Sequence, residues 1–275
     1  MSAPTIGCDT RLELRALSGV PLVAEGTDLA DLVADGLARD GITLRTGDVV
    51  VLASKVVSRA EGRYVDLTTV VPSGEATRLA AELGKDPRMV ELVLRETVEV
   101  SRTGPGVLIV KNRLGVVCAN AGIDVTNSRP LDARAGSGPW ALLLPEAPDR
   151  SADRLRQALA SRFDAAVGVV ITDSVGRPFR FGTVGIAIGV SGLPPLWDQR
   201  GAFDLFGTRL EQTITALADQ VAAAADLVAG QAAERRGIVH VRGLSFPVVE
   251  SGASALVRPV NEDLYARAVE PGARS

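Results

Sequence analysis

Two acidic segments carry the chemistry that this chain could perform. Asp173 and Ser174 stand in ITDSVGRPFRFG (171–182), and Asp124 and Asn127 stand in NAGIDVTN (120–127). Each segment follows apolar residues of strand character, so two carboxylates from separate strands can converge on one hard cation. Carboxylate, hydroxyl and amide oxygens suit Mg²⁺ or Mn²⁺ rather than zinc, and Gln231, directly after Gly230, supplies another such oxygen. Taken singly, Asp124 and Asp173 read as well as turn caps, the commoner role of an Asp beside Gly, Ser or Thr. Arg177 and Arg180 flank Pro178 and Phe179. Two guanidiniums on such a turn suit phosphate or carboxylate oxygens, with a surface salt-bridge cluster as the alternative.

Other chemistries are excluded by what the chain lacks. One histidine, His240, rules out a multi-histidine metal site. It alternates with Val239 and Val241 and reads as structural. The two cysteines, Cys8 and Cys118, have no CxxC spacing and read as ordinary thiols, Cys118 as a small buried hydrophobe. No GxxxxGK[ST] loop and no convincing GxGxxG motif occurs, so a nucleotide would have to be held by other means. The glycines of FGTVGIAIGVSG fit close ligand approach or tight strand packing equally. A net charge of -3 offers no general basic field for nucleic acid. No apolar stretch is long enough to span a membrane, and MSAPTIGCDTRLELRAL lacks the order of a signal peptide. The expectation is a cytoplasmic globular protein with no nucleic-acid or membrane partner.

The elements that would have to position these residues alternate between α and β. LELRAL (12–17) reads as a strand, followed by a helix capped near Thr27 with Leu29, Leu32, Val33 and Leu37 on one face. The apolar run that opens 47–67 reads as a buried strand delivering Ser54, Lys55 and Arg59 to its end. Two helices are expected in 74–97, separated by Gly84 with Pro87 starting the second, then strands at 107–112 and 140–145. The Gly- and Pro-rich stretch 134–139 marks a possible internal boundary near 134–140. A helix over 151–163 precedes a strand over 167–172 that ends at Asp173 and Ser174. The longest helix is expected over 208–229, from the capping-box spacing of Thr208 and Glu211 to a stop at Gly230. Its alanine-rich stripe suits core or dimer packing. A strand at 237–243 and a last helix near 260–269 complete the pattern.

Taken together, GVPLVAEGTDL, VLASKVVSRAEGR, CANAGIDVTN, LLLPEAPDRSADRLR, ITDSVGRPFRFGTVGIAIGVSG and GTRLEQTITALADQVAAAADLVAGQAAE resemble, in order, the coenzyme F-420-0:L-glutamate ligase (gamma-glutamyl ligase) family over about residues 12 to 245. The resemblance implies an α+β fold of two-part mixed α/β architecture and an intertwined homodimer with the site near its interface. It implies one ligase module over 1–275, too short to carry the flavin-binding domain fused in some relatives.

The implied reaction uses GTP. The acceptor carboxylate of F-420-0 takes the γ-phosphoryl group, and the acyl phosphate is then attacked by the amine of L-glutamate. Two Mg²⁺ or Mn²⁺ ions are implied, one at Asp124 and Asp173 and the other at Ser174 and Gln231, with Arg177 and Arg180 holding the anionic substrate. Implied nucleotide contacts are Gly19, Val20, Pro21, Leu22, Ser54, Lys55, Arg59 and Asn127. A further loop is implied over Ala229, Gly230, Gln231, Ala232, Ala233, Glu234, Arg235 and Arg236. Arg59 stands where relatives often have lysine, which alters phosphate geometry and leaves the nucleotide preference open. Ser174 replaces a frequent threonine, and the neutral Gln231 stands where glutamate also occurs. The chief rival is a paralogous ligase that glutamylates a different carboxylate. A nucleotide-binding regulator without turnover is a further alternative, disfavoured by the retained acidic and arginine positions.

Overall fold

The computed structural model describes residues 6–133 and 137–263. In chain order it contains β1 (Gly7–Ala16), α1 (Leu29–Arg39), β2 (Val49–Ala53), α2 (Ser54–Ala60), β3 (Tyr64–Asp66), α3 (Gly74–Leu83), α4 (Pro87–Arg95), β4 (Thr97–Gly104), β5 (Val107–Asn112) and β6 (Val117–Ala119). There follow β7 (Trp140–Leu142), α5 (Pro148–Phe163), β8 (Gly168–Arg177), β9 (Arg180–Ser191), β10 (Trp197–Asp198), β11 (Ile214–Thr215), α6 (Leu217–Ala229) and β12 (Ile238–Ser245). The fold is mixed, of the α+β kind.

The central sheet runs β1-β12-β2-β8-β9. Its apolar strands are buried on both faces, and the two-residue period divides their side chains between two cores. Val50, Leu52, Val169 and Ile171 point toward α1 and α5, joining Val33, Leu37, Leu155 and Leu159. Val49, Val51, Val170, Val239 and Val241 point the other way and meet Ala218, Val221, Ala222 and Ala225 of α6. Small residues on α6 let the helix lie close to the sheet. Each such fully buried valine or leucine contributes roughly 1.5–3 kcal/mol relative to exposure. Within the sheet, β2 and β8 pair parallel, with Ala53 opposite Thr172. The neighbouring pairings are antiparallel.

Below the start of β2, Asp48 closes a buried ion cluster. His240 Nε2 lies 2.9 Å from its Oδ2, and Arg242 donates through Nε at 2.8 Å and through its terminal nitrogen at 2.6 Å. Burial works against ionising Asp48, but Arg242 and His240 overcome it and hold the carboxyl at about 2. His240 is therefore structural, as its place between Val239 and Val241 suggests.

A second layer packs around its own core. The three-stranded sheet β4-β5-β6, helices α3 and α4, and the β3–β7 pair surround Leu79, Leu83, Val90, Val93, Leu108 and Val110. The α3–α4 break follows the expected punctuation. Gly84 takes the left-handed conformation (φ 67°) that ends α3, and Pro87 sits in the first turn of α4, where its missing N–H costs nothing. Cys118 is buried on β6, and burial pushes its thiol up to about 12; the side chain of Cys8 lies outside the described ones.

Several expectations are corrected. The cap of α1 is Asp28, whose carboxylate accepts from Ala30 N and Asp31 N, while Thr27 bonds back to Ala24. Ser54, Lys55 and Arg59 lie on helix α2 rather than on a strand end. The strand expected over 140–145 spans only β7, and α5 begins three residues before 151 because Pro148 occupies its first turn. β8 does not stop at 172 but continues through Asp173 and Ser174 into a hairpin with β9. The helix expected over 208–229 exists only as α6, and α5 is longer. Thr208 caps nothing: Asp204 accepts from the backbone N–H groups of Phe206 and Thr208, building a turn between β10 and β11. Of the last helix, a 3-10 turn at 260–262 is present, and 264–269 lie outside the described residues, as do 134–136 of the possible boundary.

Candidate functional site

A cavity of about 920 Å³ opens where β2, β8 and the carboxyl end of α6 meet the segment 122–131. Asp124, Asp173, Ser174 and Gln231 all line it. The parallel register is what brings the first residues together. Ala53 lies opposite Thr172, so the next residues, Ser54 and Asp173, emerge side by side, and Ser54 Oγ donates to Asp173 Oδ1 at 2.7 Å. Asp124 arrives from the second layer. Its backbone exchanges hydrogen bonds with Leu142 at 3.0 and 2.8 Å, which pins its position against β7.

The two carboxylates differ in their surroundings. Burial pushes the Asp173 carboxyl up to about 6; the Ser54 hydrogen bond opposes this and the Asp124 charge adds to it. For Asp124, burial acts against the charged form, but Lys55 and Thr126 prevail and lower its carboxyl below the usual range. Lys55 Nζ is 2.5 Å from Asp124 Oδ2 and donates to Thr126 O at 3.1 Å, while Thr126 N and Oγ1 donate to Asp124 Oδ1 at 2.6 and 2.7 Å. Asp124 is therefore both a turn cap and a cavity residue.

On the α6 side, Ser174 Oγ donates to Gln231 Oε1 at 2.9 Å and lies 3.4 Å from Asp226 Oδ2. Burial raises the Asp226 carboxyl. Arg59 is buried and ties the cavity wall together: Nε donates to Val23 O, a terminal nitrogen donates to Asn127 O and Arg129 O, and the guanidinium stacks 5.5 Å from the Tyr64 ring centroid. Its planar fork serves three backbone carbonyls, a role that a lysine ammonium at this place could fill only in part.

The expected nucleotide contacts are mostly gathered on this cavity. Val20, Pro21, Leu22, Ser54, Lys55, Arg59 and Asn127 line it, as does the whole segment Ala229–Arg236. Gly19 does not; it forms a left-handed turn against Arg39. Arg177 and Arg180 are also outside the cavity wall. They face each other across the turn of the β8–β9 hairpin, exposed, with Arg177 donating to Phe181 O at 3.2 Å.

The donor set fits divalent cations. It consists of oxygen, and among the described residues Asp173 makes no ion pair, a deficit that a hard cation would remove. Among the described residues no group of three or more His, Cys, Asp or Glu side chains converges for a metal. Any cation here would rest on Asp124 and Asp173, or on Ser174 and Gln231, with substrate oxygens completing its shell. Such sparse protein ligation is the habit of Mg²⁺ bound with phosphates.

Asp226 and Thr172 are cavity residues that sequence reasoning missed. Asp226 was hidden in the alanine-rich stripe of α6, although a carboxylate on a core-facing helix stripe is itself unusual. Thr172 is buried at 6% exposure with its Oγ1 unpartnered. Its β-branched shape made it read only as the end of a strand.

A family model described as F420-0:Gamma-glutamyl ligase matches residues 19–243. The chain is 41% identical to a coenzyme F420:L-glutamate ligase of Methanothermobacter thermautotrophicus, over 92% of this chain and 98% of the relative. A protein of the same name from Methanopyrus kandleri is 45% identical over 90% and 95% of the two chains. One from Archaeoglobus fulgidus is 40% identical over 94% and 98%. With this extent of matching, the chain belongs to the F420-0:gamma-glutamyl ligase family.

Proposed function

We propose that this chain is a cytoplasmic, GTP-dependent ligase that adds L-glutamate to coenzyme F-420-0. The observation that carries the proposal is the convergence of Asp124 and Asp173, from two separate layers, on one cavity that also holds Lys55 and the 229–236 loop. The description of the family model supports the acceptor, and the names of the relatives support the amino acid.

In the proposed reaction, a carboxylate oxygen of F-420-0 attacks the γ-phosphorus of GTP, and the bond from that phosphorus to the β,γ-bridging oxygen breaks, releasing GDP. The amine of glutamate then attacks the acyl carbon, the carbon–oxygen bond to phosphate breaks, and the amine loses a proton as the amide and phosphate form. Bound Mg²⁺ or Mn²⁺ at the two oxygen sets would offset the triphosphate charge and stabilise the transferred phosphoryl oxygens.

The protein's own residues bind and orient. Lys55 presents an ammonium that phosphate oxygens can share with Asp124. Arg59 fixes the backbone of Asn127 and Val23 through its hydrogen bonds, holding the walls that the nucleotide would occupy. The 229–236 segment follows the end of α6 and lines the same cavity, with Arg235 and Arg236 adding positive charge there. Phe179, Phe181, Leu205 and Phe206 are each at least nine-tenths exposed. Exposed apolar area of this kind supports a homodimer, and Arg177 and Arg180, outside the cavity wall of their own chain, would serve the anionic acceptor across that dimer.

Purified protein incubated with GTP, Mn²⁺ or Mg²⁺, L-glutamate and F-420-0 is expected to yield glutamylated product and GDP, read by mass spectrometry. Absence of a glutamyl product under every metal condition would sink the proposal. Glutamylation of a different carboxylate alone would favour the paralogous ligase.

A further inference from the structure

Ser174 faces a conflict that the residues around it resolve. Its hydroxyl proton is given to Gln231 Oε1 at 2.9 Å. If Ser174 and Gln231 both ligate one cation, as proposed above, the carbonyl oxygen of Gln231 is directed to the cation and can no longer be that proton's best acceptor. The hydroxyl must then turn its hydrogen elsewhere while its lone pairs face the ion. The second acceptor in reach is Asp226 Oδ2, at 3.4 Å.

Charge leads to the same residue. A hydroxyl and a primary amide are both neutral, so this pair alone sets no negative charge against a divalent cation, whereas hard cations are held chiefly by anionic oxygen. Asp226 is the carboxylate beside the pair and lines the same cavity.

The sheet is shaped to let that carboxylate in. Gly185 on β9 lies directly across from Ser174 in the register. A Cβ at Gly185 would come within 2.7 Å of Asp226 Oδ2 and 2.8 Å of Ala222 O. The space that a side chain would fill is occupied by the carboxylate and by the Ala222 carbonyl. Two residues before Ser174, on the same face of β8, Thr172 is buried with its hydroxyl unpartnered and also lines the cavity. A buried orphan hydroxyl at this place points to an occupant that supplies the missing partner.

We infer that Asp226 is a positioning residue for the cation site at Ser174 and Gln231: it accepts the serine hydroxyl's hydrogen bond, turns the serine lone pairs toward the ion, and contributes the negative charge that the two neutral ligands lack. Gly185 admits both the Asp226 side chain and the close approach of the α6 backbone at Ala222. The inference rests on the two-cation proposal, and its test separates the two.

The full chain is titrated with Mn²⁺ in the presence of GDP, and free Mn²⁺ is followed by electron paramagnetic resonance. Unsubstituted protein is expected to bind two ions. Asp226→Asn is expected to weaken one of them by at least about tenfold, the usual cost of losing a residue that orients a metal ligand, and to leave the other unchanged. Asp226→Glu should recover most of the loss. Gly185→Ala, which crowds both the carboxylate and the Ala222 carbonyl, should also show the loss, and Asp226→Ser carries the test should Asp226→Asn fail to fold. A purely structural role for Asp226 would lower the melting temperature without separating the two ions. Wild-type titration by Asp226→Asn and Gly185→Ala, with weakened binding in Ser174→Ala, overturns the role of Asp226 and leaves the cation site standing. Wild-type titration by Ser174→Ala and Gln231→Ala as well removes the cation site and this inference with it.

Discussion

Asp48, just before β2, and Asp173, on β8, both lie at the central sheet, yet their surroundings push them in opposite directions. Asp48 is buried against His240 and Arg242 and is held at about 2. Asp173 accepts from Ser54, feels the neighbouring Asp124, and is pushed up to about 6. Burial opposes ionisation at both positions, so the presence or absence of a dedicated cation decides the outcome. Where a carboxylate serves the fold, the chain supplies its counter-charge from its own residues. At Asp173 no ion pair is made among the described residues, and Asp124, which pairs with Lys55 yet lines the same cavity, lies between the two cases.

The largest test of this contrast is turnover. Asp173→Asn and Asp124→Asn are each expected to lower the ligase rate by on the order of a thousandfold, the scale of removing an electrostatic stabiliser from a phosphoryl-transfer site. Asp48→Asn should leave the rate per folded molecule nearly unchanged. Steady-state kinetics on the three variants decides it, and comparable losses in all three would dissolve the distinction.

Stability should move the other way. Asp48→Asn leaves Arg242 and His240 without their anion and is expected to cost about 3 kcal/mol in urea unfolding at neutral pH. Because the native Asp48 carboxyl is lowered, its contribution is present above the unfolded value near 4 and is lost as pH falls toward 2. The penalty of the substitution should therefore shrink on acidification.

The smallest effect is the mirror image. A raised carboxyl costs stability once it ionises, and for Asp173 that cost develops as pH rises from about 4 through 6. Without added divalent ions, Asp173→Asn is expected to melt higher than the unsubstituted protein at pH 8, by on the order of 1–3 kcal/mol, and to match it near pH 4. A variant less stable at pH 8 would show that Ser54 and Lys55 already satisfy Asp173.

How much of this was legible in the sequence follows the same line between fold and ligand. The α3–α4 pair was readable because Gly84 and Pro87 act through local backbone geometry. The β2 and β8 strands were readable because their apolar runs have no other stable place than a doubly covered sheet. The continuation of β8 was not, since Asp173 and Ser174 look like the end of a strand unless the pairing with β9 is known. The spacing of Thr208 and Glu211 imitated a helix start, while the decisive contact was the local carboxylate of Asp204. The acidic pair was visible as residue types, but its convergence depends on contacts between distant segments. Arg177 and Arg180 were read correctly as a turn-borne pair, and their distance from the cavity wall was beyond what spacing can convey.

The parallel pairing of β2 and β8 has a consequence for how the molecule comes to life. Ser54 and Asp173 touch although they lie 119 positions apart, and much of the intervening chain folds into the layer that carries Asp124. The cavity is thus the clasp at which a long excursion of the chain is closed. Non-local closure of this kind is among the slower events in folding. Recovery of turnover after dilution from denaturant should therefore trail the recovery of helical signal, making the reaction itself a reporter of the last contacts to form.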